Sequence, residues 1–484
     1  MASWMEDAPP SMTNPDAIII GSGPNGLAAA VCLARKGWKV LVLEAADTHG
    51  GGTRTKELTL PGFRHDVCSA VHPMGLGSPF FRSLDLEPLG LKWVHPDYPL
   101  AHPLEGGKAA ILHRSLDETA AALGRDAGRY RFFFKTLVEH AHELYGDMLA
   151  PAGFPKHPYL MGRLGMGAGL PATWFAKFFA TEEGRALFGG CAAHSIMALH
   201  LPLTSAIGIV LQLSGHAVGW PIPEGGSQKI TDALVSLLRQ HGGEVQCGTP
   251  VRSLADLPEA KACLFDLSPR HVSRICGEAL PASYRQKLDK FRHGPGVFKV
   301  DYALSAPIPW ANADCRKAGT VHVGGTMQEL VTSERDAWEG RLNDRPFVLV
   351  AQPSVHDATR APAGRHVAWA YCHVPAGSTV DRTEIITAQI ERFAPGFRDC
   401  ILAQHTMNCA DMEAYNPNYI GGDVIGGVTD WRQLFTRPVG LWSPYATPNP
   451  KIFLCSASTP PGGGVHGMCG YWAAECVMKR REKG

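Results

Sequence analysis

The run GSGPNG at residues 21–26, followed by an acid at Glu44, sets bare backbone N–H groups and a hydrogen-bond acceptor at a fixed spacing. Glycines at this spacing permit a tight turn at Gly21, let a pyrophosphate approach bare backbone at Gly23, and allow close helix packing at Gly26. Pro24 and Asn25 complete the turn. The free N–H groups of a helix start carry positive partial charge for phosphates, and Glu44 can accept hydrogen bonds from ribose hydroxyls. The chemistry implied is the binding of a dinucleotide.

These residues work only if flanking elements hold them. The run AIII at residues 17–20 is a short, continuous apolar strand entering the turn. Leu27, Ala30, Val31 and Ala34 then recur at helical spacing until Gly37, and residues 39–43 give a second strand closed by Glu44. Strand, turn, helix and strand form a βαβ unit. A second glycine turn follows at once: after Ala45 come Gly50, Gly51, Gly52, Thr53 and Arg54, bare backbone and a base placed where they could meet the same diphosphate. That arrangement suits FAD better than NAD.

With these motifs, GFRHDVCSAVHP at residues 62–73, PEGG at 223–226, EVQC at 244–247 and IFLC at 452–455, the chain resembles the FAD-dependent amine oxidase and phytoene desaturase superfamily, in its phytoene desaturase-like branch. The resemblance covers nearly the whole chain. It implies an α/β fold: a Rossmann-like FAD-binding domain of the glutathione reductase type, with a discontinuous α+β substrate domain. The boundaries expected are 15–85, 215–295 and 440–484 for the FAD-binding domain, and 86–214 and 296–439 for the substrate-binding domain. The resemblance further implies non-covalent FAD, with Glu44 on the adenosine ribose, Gly50 and Gly51 at the phosphates, and Val251 beside the adenine. It sets the late glycine turn, including Gly464, Val465, His466 and Met468, beside the isoalloxazine. Many relatives carry an acid after the last strand; here the chain reads CSAST, and Ser456, Ser458 or Thr459 could offer hydroxyls instead.

The activity implied is that of an FAD-dependent dehydrogenase or desaturase acting on C–C bonds of an apolar, isoprenoid or carotenoid-like substrate, with hydride transfer to flavin N5. A flavin amine oxidase of a small substrate and a non-redox flavin-dependent isomerase are the alternatives. No nicotinamide site is visible, because the glycines of residues 165–169 follow no strand and read as a loop. Electrons must then leave for oxygen, a quinone or another carrier. His466 is the candidate catalytic side chain, with support of its loop as the competing role. His72 and His194 read as core histidines, and Lys299 with Asp301 as a polar strand face. Trp442, Tyr445, Tyr471 and Trp472 are either an aromatic wall near the ring or ordinary core.

At 484 residues two domains are the default. Lys and Arg number 46 against 45 Asp and Glu, a net charge of +1, which argues against a nucleic-acid partner. The 13 cysteines include no CxxC pair, so no metal site is expected and they read as reduced thiols of a cytoplasmic protein. Residues 186–223 contain no charged side chain, consistent with a buried helix lining an apolar cavity; peripheral membrane contact and oligomeric state stay open.

Overall fold

The run at residues 17–20 is buried throughout because it is the middle strand of a five-stranded parallel sheet. The strand order is Ile452–Leu454, Ala262–Phe265, Ala17–Ile20, Val40–Leu43, Glu244–Gln246. Ile19 pairs with Val42 on one side and Leu264 on the other. Strands covered on both faces read as continuous branched runs, which is why AIII and VLVL were legible. The computed structural model that establishes this describes residues 12–434, 436–440 and 443–482. Trp442 lies outside them. Strand Ala262–Phe265 escapes the sequence reading because its four residues, ACLF, are too few to show a period.

Helix Pro24–Ala34 opens on a proline, tolerated in a first turn where no N–H partner is lost. It packs beneath helices Gln228–Gln240 and Met468–Glu482. The last helix begins at Met468, because the His466 ring accepts the Met468 N–H and so caps its first turn. The opposite sheet face is covered by helices Pro269–Cys276 and Ala282–Asp289 through Val272, Ile275 and Leu288.

The second sheet is seven-stranded and mixed, in the order Ile401–Met407, Gly296–Leu304, His366–Val374, Val348–Ala351, Ala318–Val323, Tyr98–Pro103, Ala109–Leu112. Cross-strand register sets two rows on one face: Lys299, Tyr371, Leu349 and His322, then Asp301, Trp369, Ala351 and Thr320. The intervening Val300, Ala370, Val350 and Val321 turn the other way, toward Ile386 and Ile390 of helix Thr383–Phe393.

The charge-free stretch is split between two packed helices, Glu182–Ala193 and Thr204–Ala217, rather than one. Among the described residues no helix is long and apolar enough to cross a membrane. The glycines of residues 165–169 largely belong to helix Pro158–Ala168, which corrects the loop reading. Packing overrides propensity there: a Cβ on Gly167 would stand 2.7 Å from Phe133, Phe175 and Ile209, so glycine is what lets the helix seat.

Candidate functional site

A cavity of about 720 Å³ runs from the carboxyl edge of the parallel sheet to the face of the mixed sheet. Open parallel sheets bind ligands at that edge. Gly21, Gly23, Pro24 and Asn25 line it. Gly26 does not; its Cβ would stand 2.2 Å from the Gly21 carbonyl oxygen, and its N–H donates to Asp266 Oδ2 at 2.9 Å. Gly51, Gly52, Thr53 and Arg54 line the cavity from the second turn, and a Cβ on Gly51 would meet Gly23 Cα at 3.0 Å. The two glycine turns therefore touch backbone to backbone. Gly50 sits behind them, its N–H on Ser22 O at 3.1 Å.

Glu44 and Ala45 continue the wall. Glu44 Oε2 accepts from the Ser22 N–H at 2.9 Å and its hydroxyl at 2.6 Å, while Oε1 faces Arg54 Nη2 at 3.2 Å. Val251 lines the same end beside Thr249 and Arg252. Asp266, absent from the sequence reading, also lines the cavity; burial pushes its carboxyl up to about 7, against the opposing Gly26 N–H and with the help of the Glu44 charge. Its signal was available, an acid directly after the apolar run ACLF. Tyr415, whose hydroxyl donates to Gly51 O at 2.8 Å, had none.

Toward the middle stand Ser456, Gly464 and Val465. Ser456 donates to Leu267 O at 2.8 Å and lies 2.7 Å from the Ser458 hydroxyl. His466 and Met468 do not line the cavity. His466 Nδ1 accepts the Met468 N–H at 3.1 Å, so Nε2 carries the proton and donates to Gly462 O at 3.2 Å. Burial holds this imidazole near 4 and neutral, and the geometry is that of loop support. Tyr445, Tyr471 and Trp472 also pack away from the cavity, Tyr445 donating to Pro460 O and Trp472 to Leu149 O. The aromatic wall is made instead by Trp220, Trp369 and Tyr371, the last two stacked at 5.5 Å and 10°. His72 is a core residue on Ser227, but His194 lines the cavity, a correction to its reading as core.

Residues 19–84 match the family described as NAD(P)-binding Rossmann-like domain. Over nearly the full length, the chain is 26% identical to rat pyridine nucleotide-disulfide oxidoreductase domain-containing protein 2, covering 96% of this chain and 93% of that one. It is 24% identical to the zeta-carotene-forming phytoene desaturase of Myxococcus xanthus, covering 93% and 90%. This chain is an oxidoreductase, similar along most of its length to phytoene desaturases. Its fold is shared with a redesigned putrescine oxidase, at 19% identity and a TM-score of 0.61, over 96% and 99% of the chains.

In this oxidoreductase the cavity joins two unlike ends. One offers glycine backbone, a helix N-terminus and hydroxyls; the other offers Leu211, Leu349 and three aromatic rings. Lys299 lies beneath the second end, in contact with the Asp301 carboxylate and 5.7 Å from the Trp369 ring centre. Both charges are fully buried and neither lines the cavity. Alternation in HVAWAYCHV put Trp369 and Tyr371 on one face, but only pairing with the neighbouring strands aims that face at the cavity.

Proposed function

We propose that this oxidoreductase binds FAD non-covalently along the cavity and removes two hydrogens from a C–C bond of an apolar, isoprenoid-type substrate held at the aromatic end. When bound, FAD supplies the hydride acceptor. The chain's own residues fit it: the two glycine turns and the start of helix Pro24–Ala34 suit the diphosphate, and Glu44 suits the ribose. Asn25 Oδ1 is buried without a partner among the described residues and can accept from a cofactor hydroxyl. The observation that carries the reading is continuity: the glycine turns open directly onto an end lined by Leu211, Trp220, Leu349, Trp369 and Tyr371. Oxygen, a quinone or another carrier then takes the electrons.

The stacked Trp369 and Tyr371 favour a second reading, oxidation of a small amine, because aromatic faces attract ammonium groups. A redox-neutral isomerisation is the third. Anaerobic mixing with hydrocarbon and amine panels separates them. Bleaching of the flavin band by an apolar alkene, with a product lighter by two hydrogens, is the expected result. Bleaching by amines alone would establish the second reading, and an unchanged product mass the third. A purified protein without flavin absorbance sinks all three.

Peripheral contact with an anionic membrane belongs to the same reading, since an apolar substrate dissolves in lipid. Between Asp147 and Glu182 the chain has no acid but carries Lys156, Arg163 and Lys177. Phe154, Tyr159, Met166 and Trp174 in this stretch are 63–89% exposed, as is Phe132 at 68%. Tyr159, Arg163 and Met166 share one face of helix Pro158–Ala168, and Arg163 lies 5.1 Å from the Phe132 ring centre. Exposed rings among bases are the signature of an interfacial anchor. The double variant Phe154→Ser, Trp174→Ser is expected to bind vesicles of phosphatidylcholine and phosphatidylserine about tenfold more weakly in co-sedimentation. Equal binding by native and variant protein would remove the patch from consideration.

A further inference from the structure

His194 follows helix Glu182–Ala193 and reaches the cavity wall, with its Nε2 2.9 Å from Nε2 of His322 on strand Ala318–Val323. Such a bond takes one N–H and one lone pair, so two arrangements exist. His322 decides between them. It is fully buried, in the sheet row of Leu349 and Tyr371, and its Nδ1 has no partner among the described residues. That nitrogen faces Gly190, where a Cβ would come within 2.7 Å of it; His102 Nδ1 faces the same point at 2.8 Å. His102 must donate from Nε2 to Gly325 O, 2.7 Å away, which leaves its own Nδ1 bare.

A glycine C–H meets a lone pair without conflict, whereas an N–H there would set hydrogen against hydrogen. An orphaned buried N–H is also rarer than an orphaned acceptor. The His322 proton therefore sits on Nε2 and is donated to His194 Nε2. His194 must then carry its own proton on Nδ1, since its side-chain hydrogen bond among the described residues is the one to His322 through Nε2. Burial pulls His194 down to about 3 and His322 well below its ordinary value, so the pair is neutral near pH 7.

We propose that this end of the cavity is a neutral oxygen subsite, in which His194 Nδ1–H donates to a carbonyl or hydroxyl oxygen on an otherwise apolar substrate. The proposal rests on reading this end as the substrate site. The other walls here are Leu211, Trp220, Thr320, Leu349, Trp369 and Tyr371, with no cation among the described residues to balance a carboxylate or phosphate. A pure hydrocarbon would leave the N–H facing carbon. The expected discrimination is about tenfold in affinity, the net worth of one ordinary hydrogen bond.

Carvone and limonene share a carbon skeleton and differ by the carbonyl, so they serve as probes of the purified full chain. Tryptophan fluorescence reports binding, and infrared difference spectra of carvone labelled at its carbonyl carbon report the hydrogen bond. Carvone is expected to bind about tenfold more tightly than limonene, with its carbonyl stretch lowered from the value in hexane. His194→Leu should remove both the preference and the shift and leave limonene binding unchanged; His194→Gln, which keeps an N–H donor, should restore the shift. An unshifted carbonyl in native protein, no binding of carvone, or equal weakening of both probes by His194→Leu overturns the proposal. If the leucine variant does not fold, the native shift and the glutamine variant decide. Flavin absorbance on the same sample tests the cofactor separately: a shifted carbonyl in a flavin-free protein upholds the subsite and sinks the FAD reading.

Discussion

Gly470→Ala is expected to lower the stability of the protein by about 3 kcal/mol or more, read as a fall in the urea midpoint at unchanged slope. Gly470 lies in the first turn of helix Met468–Glu482, where that helix crosses Pro24–Ala34. A Cβ at this position would stand 1.8 Å from the Asn25 carbonyl oxygen and 2.8 Å from the Ala29 nitrogen. Both are backbone atoms, so no rotamer change relieves the overlap and the helices must separate. Separation strips contacts from Ala28, Ala29 and Ala473, all fully buried. It also moves Asn25 and Gly26, so the variant should emerge without flavin if FAD occupies the cavity. Gly162→Ala is the control on another helix, exposed and with nothing near its would-be Cβ. It should gain about 0.5–1 kcal/mol from helix propensity. Equal and small effects at both positions would show that the two helices do not meet through Gly470.

That contact also explains how far the sequence could be read. The first βαβ unit was legible because its constraints are local: a buried strand, three glycines and an acid at fixed spacing admit few alternatives. The late glycine turn was legible as bare backbone approaching something, but what it approaches is in part another helix, set by packing across the whole chain. The histidines make the same point. His466 stands in a turn whose Gly462 carbonyl and Met468 N–H both bond it, so its ring is consumed locally. His194 is aimed by His322, 128 residues away on a strand that sequence periodicity did not reveal. Strands Tyr98–Pro103, Ala109–Leu112 and Ala318–Val323 were missed for a related reason: each is only four to six residues long, and only their partners make them strands. Lone histidines and short strands are decided by non-local contacts, and no spacing rule records them.

Asp266 leads to the second large effect, an advantage of Asp266→Asn over native protein that grows as pH rises. With burial raising the folded carboxyl to about 7, and an unfolded value near 3.9, the cofactor-free native state keeps a proton that the unfolded chain releases. The contribution is fully present below about pH 4, is lost as pH rises toward 7, and is gone above it. An asparagine can still accept the Gly26 N–H that Asp266 Oδ2 takes at 2.9 Å, but it never ionises. The stability difference should therefore climb from near zero at about pH 4 to on the order of 2–4 kcal/mol at about pH 8, then level off. Buried neutral histidines such as His72, His102 and His466 make both proteins weaker in acid, and they cancel in the difference. Cofactor affinity should follow the same logic, because a diphosphate at the glycine turns would bring negative charge beside a carboxylate that Glu44 already disfavours. The variant should retain FAD about tenfold more tightly near pH 8 and equally near pH 5. A stability difference that does not change with pH would mean that Asp266 is ionised in the native state, held by the Gly26 N–H and the dipole of helix Pro24–Ala34 despite its burial.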